Sequence, residues 1–276
     1  MVRNQEDAFE FAAEVLSVPA VRMPAMDELA VELRLPRECV QWCRAQDYEL
    51  VVADDMSPID LDWWNKGLTD HKIPVRLWGR DADGRPVGSG EAFLRRDDVG
   101  AGSVPDQGPE NLCVLYRAAA WLSGHPKRRR PKRFIDVRSG GRENNLEIVS
   151  DGLGLCRTGS IAIGGSDGDS SPWPSTPGIG PSLLSLYCWA VHPGAPRRPQ
   201  LIDQDGVSTL CRFGWLVVPS VSSFPRSRYR QYSHLLHRAA DQAGVPAELI
   251  EMWLVRNWQE RVHKALHRSP ITGSSV

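Results

Sequence analysis

The segment Thr176–Arg212 constrains the fold of this chain more than any other stretch of its 276 residues. It opens with a tight turn of sequence P-G-I-G-P at 177–181, which an apolar run from Leu183 to Val191 follows. The run is long enough for more than two helical turns. After a proline-rich loop, two aliphatic residues lead directly into Asp203, and a second helix-like run covers Val207–Arg212. This order predicts a glycine-rich turn, a buried helix and a carboxylate just before a second helix.

The turn at 177–181 is suited to a phosphate group. Glycine, present at 178 and 180, lets the backbone approach a ligand closely. The free N–H groups at the start of the next helix, together with the helix dipole, attract an anion. The turn therefore favours contact with a phosphate oxygen.

The ordered combination of turn, apolar helix, loop, aliphatic pair and Asp203 resembles the core of the helix-hairpin-helix DNA glycosylases, the superfamily of the 8-oxoguanine and adenine glycosylases. Arg212 also stands nine residues after the aspartate, where those enzymes often carry an arginine. The resemblance covers about the last 100 residues well, and a helix at 111–123 more weakly. It implies a mainly α fold with a helix-hairpin-helix glycosylase-like domain. It also implies that double-stranded DNA is the partner and that Gly178 and Gly180 contact it.

Residues 1–105 are predicted to form an α+β region and residues 106–270 the helical glycosylase-like domain. Apolar residues at helical spacing and the caps and breakers around them mark the helices. Alternation followed by turn residues at 81–85 marks a hairpin. Helices are predicted at 5–16, 26–35, 38–45, 58–68, 111–123, 183–191, 207–212 and 227–243 and from Pro246 onwards, and strands at 74–78 and 87–94.

Residues 136–172 do not fit a helical domain. They contain eight glycines and few large apolar side chains, so we predict no helix of ten residues with a sustained apolar face here. A long loop, a degraded region and a reading-frame fault in the gene all agree with this composition.

Asp203 is the candidate catalytic residue, ahead of Asp205. In the resembled superfamily, the aspartate at this point stabilises positive charge on the sugar as the glycosidic bond breaks, and orients or activates the nucleophile. A helix N-cap is the alternative, because Asp203 and Asp205 stand just before a helix-like run. The resemblance favours catalysis.

A lysine is missing where the bifunctional members of the superfamily form a Schiff base. Direct alignment of the glycines puts Ser182 in that place, and the looser spacing of some bacterial relatives puts Leu186 there. Neither is a lysine, and no lysine occurs between Lys132 and Lys264. Adenine glycosylases also carry a serine there and are monofunctional. The resemblance thus implies hydrolysis without lyase activity, with Ser182 in the base pocket.

A basic run follows the helix at 111–123: six of the seven residues from Lys127 to Arg133 are basic. Lys127, Arg128, Arg129 and Arg130 are predicted to contact DNA phosphates, each releasing about one counterion. The alternative is a solvated charged loop, the commoner fate of such runs.

Tryptophan residues are candidates for stacking on a flipped base. Most of the 10 are predicted to be core residues. Trp173 lies in a Pro/Ser-rich stretch that packing explains least, and we assign it to the base pocket.

Composition limits which classes of protein this chain can belong to. The net charge of −1 means that DNA binding must come from a local patch. The six cysteines form no C-x-x-C pair and lie mostly in apolar patterns, which is typical of reduced, buried thiols. No apolar signal core or membrane span is present in the sequence. We expect a cytoplasmic monomer.

Two histidine pairs, His234/His237 and His263/His267, have helical spacings that a metal site would allow. Neither has a cysteine or carboxylate at a suitable offset. We expect surface residues, no metal and no cofactor.

The sequence therefore supports two hypotheses. The first is DNA binding with base flipping and monofunctional hydrolysis of an N-glycosidic bond. The second is a non-catalytic DNA-binding or interaction module that retains the glycosylase fold.

Overall fold

The computed structural model describes residues 33–105, 107–128, 133–139, 145–158 and 178–268. Helices predominate, as predicted, and a small antiparallel sheet lies in the N-terminal part. The helices are α1 Arg37–Arg44, α2 Leu61–Asp70, α3 Glu110–Gly124, α4 Asn145–Arg157, α5 Pro181–Val191, α6 Gln204–Arg212, α7 Arg226–Ala243 and α8 Ala247–Arg268. The strands are β1 Met56–Asp60, β2 Gly79–Arg80, β3 Pro86–Val87 and β4 Glu91–Arg95.

The sheet has the strand order β1-β4-β2-β3, and each neighbouring pair is antiparallel. The predicted turn at 81–85 connects β2 to β3, and Gly84 there has a φ of 79°. The prediction of a strand at 74–78 is wrong. That stretch makes an isolated bridge between Arg76 and Gln107, and β2 begins only at Gly79.

The predicted helix at 58–68 is wrong in its first part, because residues up to Asp60 belong to β1. Pro58 pairs opposite Phe93 on an edge strand, where a residue without an N–H group is tolerated. The helix α2 begins afterwards, and the Asp60 side chain accepts a hydrogen bond of 2.9 Å from the Trp63 N–H group. Asp60 is therefore an N-cap.

The prediction that 136–172 contains no helix of ten residues is also wrong. Helix α4 has 13 residues, and its buried positions are Asn145, Val149, Leu153 and Cys156. Their spacing of three or four residues gives one narrow face. Two glycines and several polar residues dilute the hydrophobic pattern of this helix in the sequence, which concealed the face.

The two central helices are α3 and α5. Every residue from Leu112 to Leu122 in α3 is buried, as is every residue from Pro181 to Ala190 in α5. Gly178, just before α5, has a φ of 87°, which favours glycine. Gly178 and the end of α3, at Leu122, line the same cavity.

One hydrophobic cluster contains residues from both sides of position 105, from Leu33 to Leu254. The division of the chain at 105/106 stays a prediction, and the described residues on its two sides share this core. Across the described ranges, no helix is both long enough and apolar enough to cross a membrane.

Gly124 tests the contact between α3 and the sheet. A Cβ atom there would lie 1.9 Å from the Pro58 carbonyl oxygen. Gly124→Ala should therefore force α3 and β1 apart and lower the free energy of unfolding by about 1–3 kcal/mol. Gly154→Ala is the control, because the nearest atom to a Cβ there is 3.7 Å away. Because Gly154 lies inside a helix, Gly154→Ala should raise the free energy of unfolding by about 0.5–1 kcal/mol. Urea unfolding measures both, and equal effects would contradict this packing.

Candidate active site

Asp203 is the N-cap of α6. Its backbone is extended, and its Oδ1 atom accepts a hydrogen bond of 2.8 Å from the Gly206 N–H group. A Cβ atom at Gly206 would lie 3.3 Å from that oxygen, so glycine leaves room for the cap. The carboxylate thus stands at the positive end of a helix dipole.

The second carboxylate oxygen of Asp203 is held by Arg128. The Nη1 atom of Arg128 lies 2.5 Å from Asp203 Oδ2, and its Nη2 atom lies 2.6 Å from Glu251 Oε1. The other oxygen of Glu251 accepts a hydrogen bond of 2.8 Å from Arg96. We call these four residues the buried charge chain, because all four side chains are buried and their charges alternate.

The environment keeps Arg128 cationic. Burial alone would lower the pKa of its guanidinium group, but the negative charges of Glu251 and Asp203 outweigh that effect and raise the pKa above its ordinary value. The ring of Trp121 also lies 5.7 Å from the guanidinium carbon, within the range of a cation–π contact.

The turn that carries Arg128 is anchored to the N-terminal part of the chain. His125 Nε2 lies 2.9 Å from Asp55 Oδ1, and the Lys127 N–H group donates to His125 Nδ1 over 3.2 Å. Because Nδ1 accepts, the ring proton is on Nε2 and is donated to Asp55. The Trp121 indole N–H group donates to the Asp55 carbonyl oxygen over 2.9 Å. These bonds fix the position from which Arg128 reaches Asp203.

A cavity of about 570 Å³ lies beside Asp203. This volume is within the usual range of about 300–1,000 Å³ for small-molecule sites. The wall combines apolar side chains with a few polar ones. It is formed by Leu122, Pro126, Lys127, Arg128, Asp203, Gln204, Asp205, Val221, Trp258, Gln259, Val262, His263 and Leu266.

Two predicted site residues, Asp203 and Lys127, lie together on this wall, and Lys127 is exposed. Arg128 lies on this wall too, but its guanidinium group is not placed to make the phosphate contact that the sequence predicted. Its guanidinium group is buried and bound by two carboxylates, so it is not presented on the surface. Arg129 and Arg130 lie outside the described residues.

The predicted residues near the turn lie apart from Asp203. Ser182 is fully buried in α5, and its hydroxyl oxygen has no hydrogen-bond partner among the described residues. It does not line the cavity, while Gly178 lines a second one of about 250 Å³. Gly180 is the N-cap residue of α5. Trp173 lies outside the described residues.

Sequence reasoning missed the contribution of α8 to the site. Trp258, Val262 and Leu266 follow at spacings of four residues and line the cavity from one face of this helix. Gln259 donates a hydrogen bond to Asp205 over 2.9 Å and another to the Lys127 carbonyl oxygen. The helical spacing is visible in the sequence, but it does not show that this face of α8 lines a cavity.

His263 also lines the cavity, and its ring packs edge-on against His267. Among the described residues, no three His, Cys, Asp or Glu side chains are grouped so that they could hold a metal ion.

The family comparison agrees with the resemblance in the sequence. The family model described as "Putative 8-oxoguanine DNA glycosylase OGG-like protein" matches residues 52–255. The chain therefore belongs to this OGG-like family. No curated protein and no solved structure gives a significant match. The match spans Arg96, Arg128, Asp203 and Glu251, so the whole buried charge chain lies within the family region.

The His125–Asp55 contact predicts a pH-dependent stability. Burial lowers the pKa of His125, and the hydrogen bond from its ring to Asp55 offsets this only in part. An unfolded histidine binds a proton below about pH 6.5, whereas folded His125 stays neutral to a lower pH. Unfolding then takes up a proton, and stability should fall as the pH drops from 6.5, by at most about 1.4 kcal/mol per pH unit.

The variant His125→Gln should show a flatter dependence of the unfolding free energy between pH 7 and pH 5.5. Glutamine has no proton to gain in this range and keeps a donor for Asp55. Urea unfolding at each pH measures the effect. Equal slopes for the two proteins would show that His125 is not held neutral by the fold.

Proposed function

We propose that the chain is a monofunctional DNA glycosylase, which hydrolyses the N-glycosidic bond of a damaged or modified base flipped out of double-stranded DNA. One observation carries the proposal. A carboxylate, that of Asp203, is fixed at a helix N-terminus on the wall of a cavity large enough for a nucleotide base. Membership of the OGG-like family supports the assignment of this site to glycosylase chemistry.

In this proposal Asp203 stabilises the transition state. As the bond between the base and C1′ of the sugar breaks, positive charge develops on the sugar, and the carboxylate lies beside it. Water adds to C1′, its proton passes to a base such as the carboxylate, and the released base leaves with a proton. The two oxygens of a carboxylate offer about four lone-pair positions. Gly206 and Arg128 use one each, which leaves positions for the water and the sugar.

The cavity wall offers a surface for the base. Trp258 is half-buried there, and its indole ring is suited to stacking on a base. Val262 and Leu266 are exposed at 41% and 63%, although both are apolar and line the cavity. Exposed apolar side chains around a concave site are typical of a ligand-binding surface.

DNA is held from two sides in this proposal. The turn at 178–180 acts as the hairpin of a helix-hairpin-helix motif, with the N–H groups at the start of α5 directed to a phosphate. Lys127 and the basic residues after Arg128 contact phosphates at the other side. One chain supplies the cap, the cavity and the basic run, so the protein acts as a monomer.

The missing lysine favours hydrolysis over lyase chemistry. An imine with the abasic sugar needs a lysine or other amine near C1′. No lysine occurs between Lys132 and Lys264 in the sequence. Lys127 lines the cavity but is assigned to a phosphate contact in this proposal, so water is the nucleophile.

The second candidate function is a DNA-binding module without catalysis. Its support is that each carboxylate oxygen of Asp203 already has a donor and that Arg128 opposes the charge. In such a module Asp203 would be a structural cap alone. Excision assays distinguish the two functions.

Asp203→Asn tests the catalytic assignment. The substitution keeps an acceptor for the cap but removes the negative charge, so excision should fall by about 10²–10³-fold. Stability should fall by about 1–3 kcal/mol, because Arg128 loses a charged acceptor. Duplexes carrying different lesions are treated with alkali after incubation, which cleaves them at abasic sites.

The matched control is Asp60→Asn, an aspartate N-cap on α2 that does not line the cavity. Its excision rate should equal that of the unaltered protein. Normal excision by folded Asp203→Asn protein would refute the catalytic role, and no excision by the unaltered protein on any lesion would favour the module.

The absence of an imine intermediate is tested separately. Borohydride should trap no covalent protein–DNA adduct on any lesion, because it reduces only an imine between an amine and the sugar.

The basic run is tested by salt dependence. Replacing Lys127, Arg129 and Arg130 with alanine should reduce the slope of log K against log salt by up to about 3, since each phosphate contact contributes about 0.9. The control replaces three exposed cations in the N-terminal part, Lys66, Lys72 and Arg85. Equal slopes for both triple variants would contradict a specific contact by the basic run.

A further inference from the structure

We propose that Arg128 is the positioning residue of Asp203, and that Glu251 and Arg96 hold Arg128 in place for this task. The inference rests on the proposed function, because it gives a role in excision to residues that contact only the carboxylate or each other. It also gives residue 96, in the N-terminal part, a role in the site.

The geometry of Arg128 fits a clamp. Its two terminal nitrogens bind carboxylates on different elements, Asp203 before α6 and Glu251 in α8. A planar guanidinium group reaches two acceptors in fixed directions, whereas an ammonium group is a single point charge. Together with the Gly206 N–H group, Arg128 fixes both oxygens of Asp203 and so sets the plane of the carboxylate.

Glu251 orients the clamp in turn. Its two oxygens bind Arg128 at 2.6 Å and Arg96 at 2.8 Å, and its side chain is 3% exposed. Arg96 is completely buried, and its guanidinium carbon lies 4.5 Å from the centre of the Trp189 ring. Thus Arg128 has a charged partner on both sides and little freedom to turn away from Asp203.

Stability is a weak reason to keep such a chain. Removing charges from water costs several kcal/mol per ion, and well-packed apolar residues often serve as well or better. The buried charge chain also ends at the cavity: Asp203 and Arg128 line the cavity, and Arg96 and Glu251 do not. A fixed carboxylate has a catalytic value, because misplacement by about 1 Å costs about 10²-fold in rate.

Two properties of Arg128 contribute separately. Its fork sets the direction of the carboxylate, and its positive charge attracts the negative charge of Asp203. Arg128→Lys keeps the charge and loses the fork. Arg128→Met loses both and keeps a similar apolar length.

The experiment measures single-turnover excision, together with the dissociation constant for lesion DNA and the folded fraction by circular dichroism. Arg128→Lys should lower the excision rate by about 10–100-fold and change the dissociation constant by less than about 2-fold. Arg128→Met should lower the excision rate at least as much, because it removes both the fork and the charge.

Arg198→Lys is the matched control. Arg198 is half-buried, packs 3.3 Å from the centre of the Trp189 ring and donates to the Trp189 carbonyl oxygen over 2.7 Å. The substitution removes a comparable guanidinium group away from Asp203, so excision should stay unchanged. If Arg128→Lys weakens DNA binding and leaves the single-turnover rate unchanged, Arg128 is a DNA contact and the inference is overturned. If the Met variant does not fold, the Lys variant still decides.

A second readout separates this inference from the proposed function. The carboxyl carbon of Asp203 and the amide group of Gly206 are followed by NMR at constant pH, on the protein without DNA. Their chemical shifts should change after Arg128→Met, because the contact of Arg128 with the carboxylate is lost, and should stay unchanged after Arg198→Lys. For an inactive protein, this change would support the clamp although the glycosylase assignment had failed. Identical chemical shifts in all three proteins would overturn the clamp, whatever the activity.

Discussion

The ion pair between Arg128 and Asp203 is the interaction on which the site depends. It joins the turn after α3 to the start of α6, and Glu251 and Arg96 extend it into α8 and the segment after β4. Four segments that are distant in sequence therefore meet through buried charges. Each carboxylate there has a cation beside it, which offsets the cost of burial. Asp203 and Arg128 also line the cavity, so this ion pair forms part of its wall.

Cap and catalyst are compatible functions for Asp203. The cap uses one lone pair of Oδ1, and the helix dipole and Arg128 both place positive charge behind the carboxylate. The contacts that cap the start of α6 also fix the carboxylate on the cavity wall. A catalytic charge needs this kind of preorganisation, because it must not reorganise as the sugar becomes cationic. Asp203 can therefore be an N-cap and a catalytic residue at once. Which role it has depends on whether its remaining lone pairs contact the substrate.

The sequence predicted those features that follow from local rules. Helix α7 ends at Ala243, the predicted end, and Gly244 follows it in the left-handed conformation with a φ of 65°. Asp203 caps α6, which was the alternative interpretation of its position in the sequence. Both depend on residues within one helical turn. Arg128 was assigned to the surface because it belongs to a basic run, and only the tertiary fold brings two carboxylates to it. Glu251 was hidden inside the apolar sequence LIEMWLV, where a helical pattern gives no partner for a charge. Helix α4 was missed because packing, and not its glycine-containing sequence, favours the helix.

The central claim is that Asp203 faces developing positive charge at C1′ of a flipped nucleotide. The most direct test compares the affinity for two duplexes, one with a cationic pyrrolidine in place of the sugar and one with a neutral tetrahydrofuran. A ligand that mimics the charge of the transition state should bind more tightly. We expect the unaltered protein to prefer the cationic duplex by at least about 10-fold, and the Asp203→Asn variant to lose that preference while its affinity for the neutral duplex changes little. An equal preference in both proteins would contradict the account.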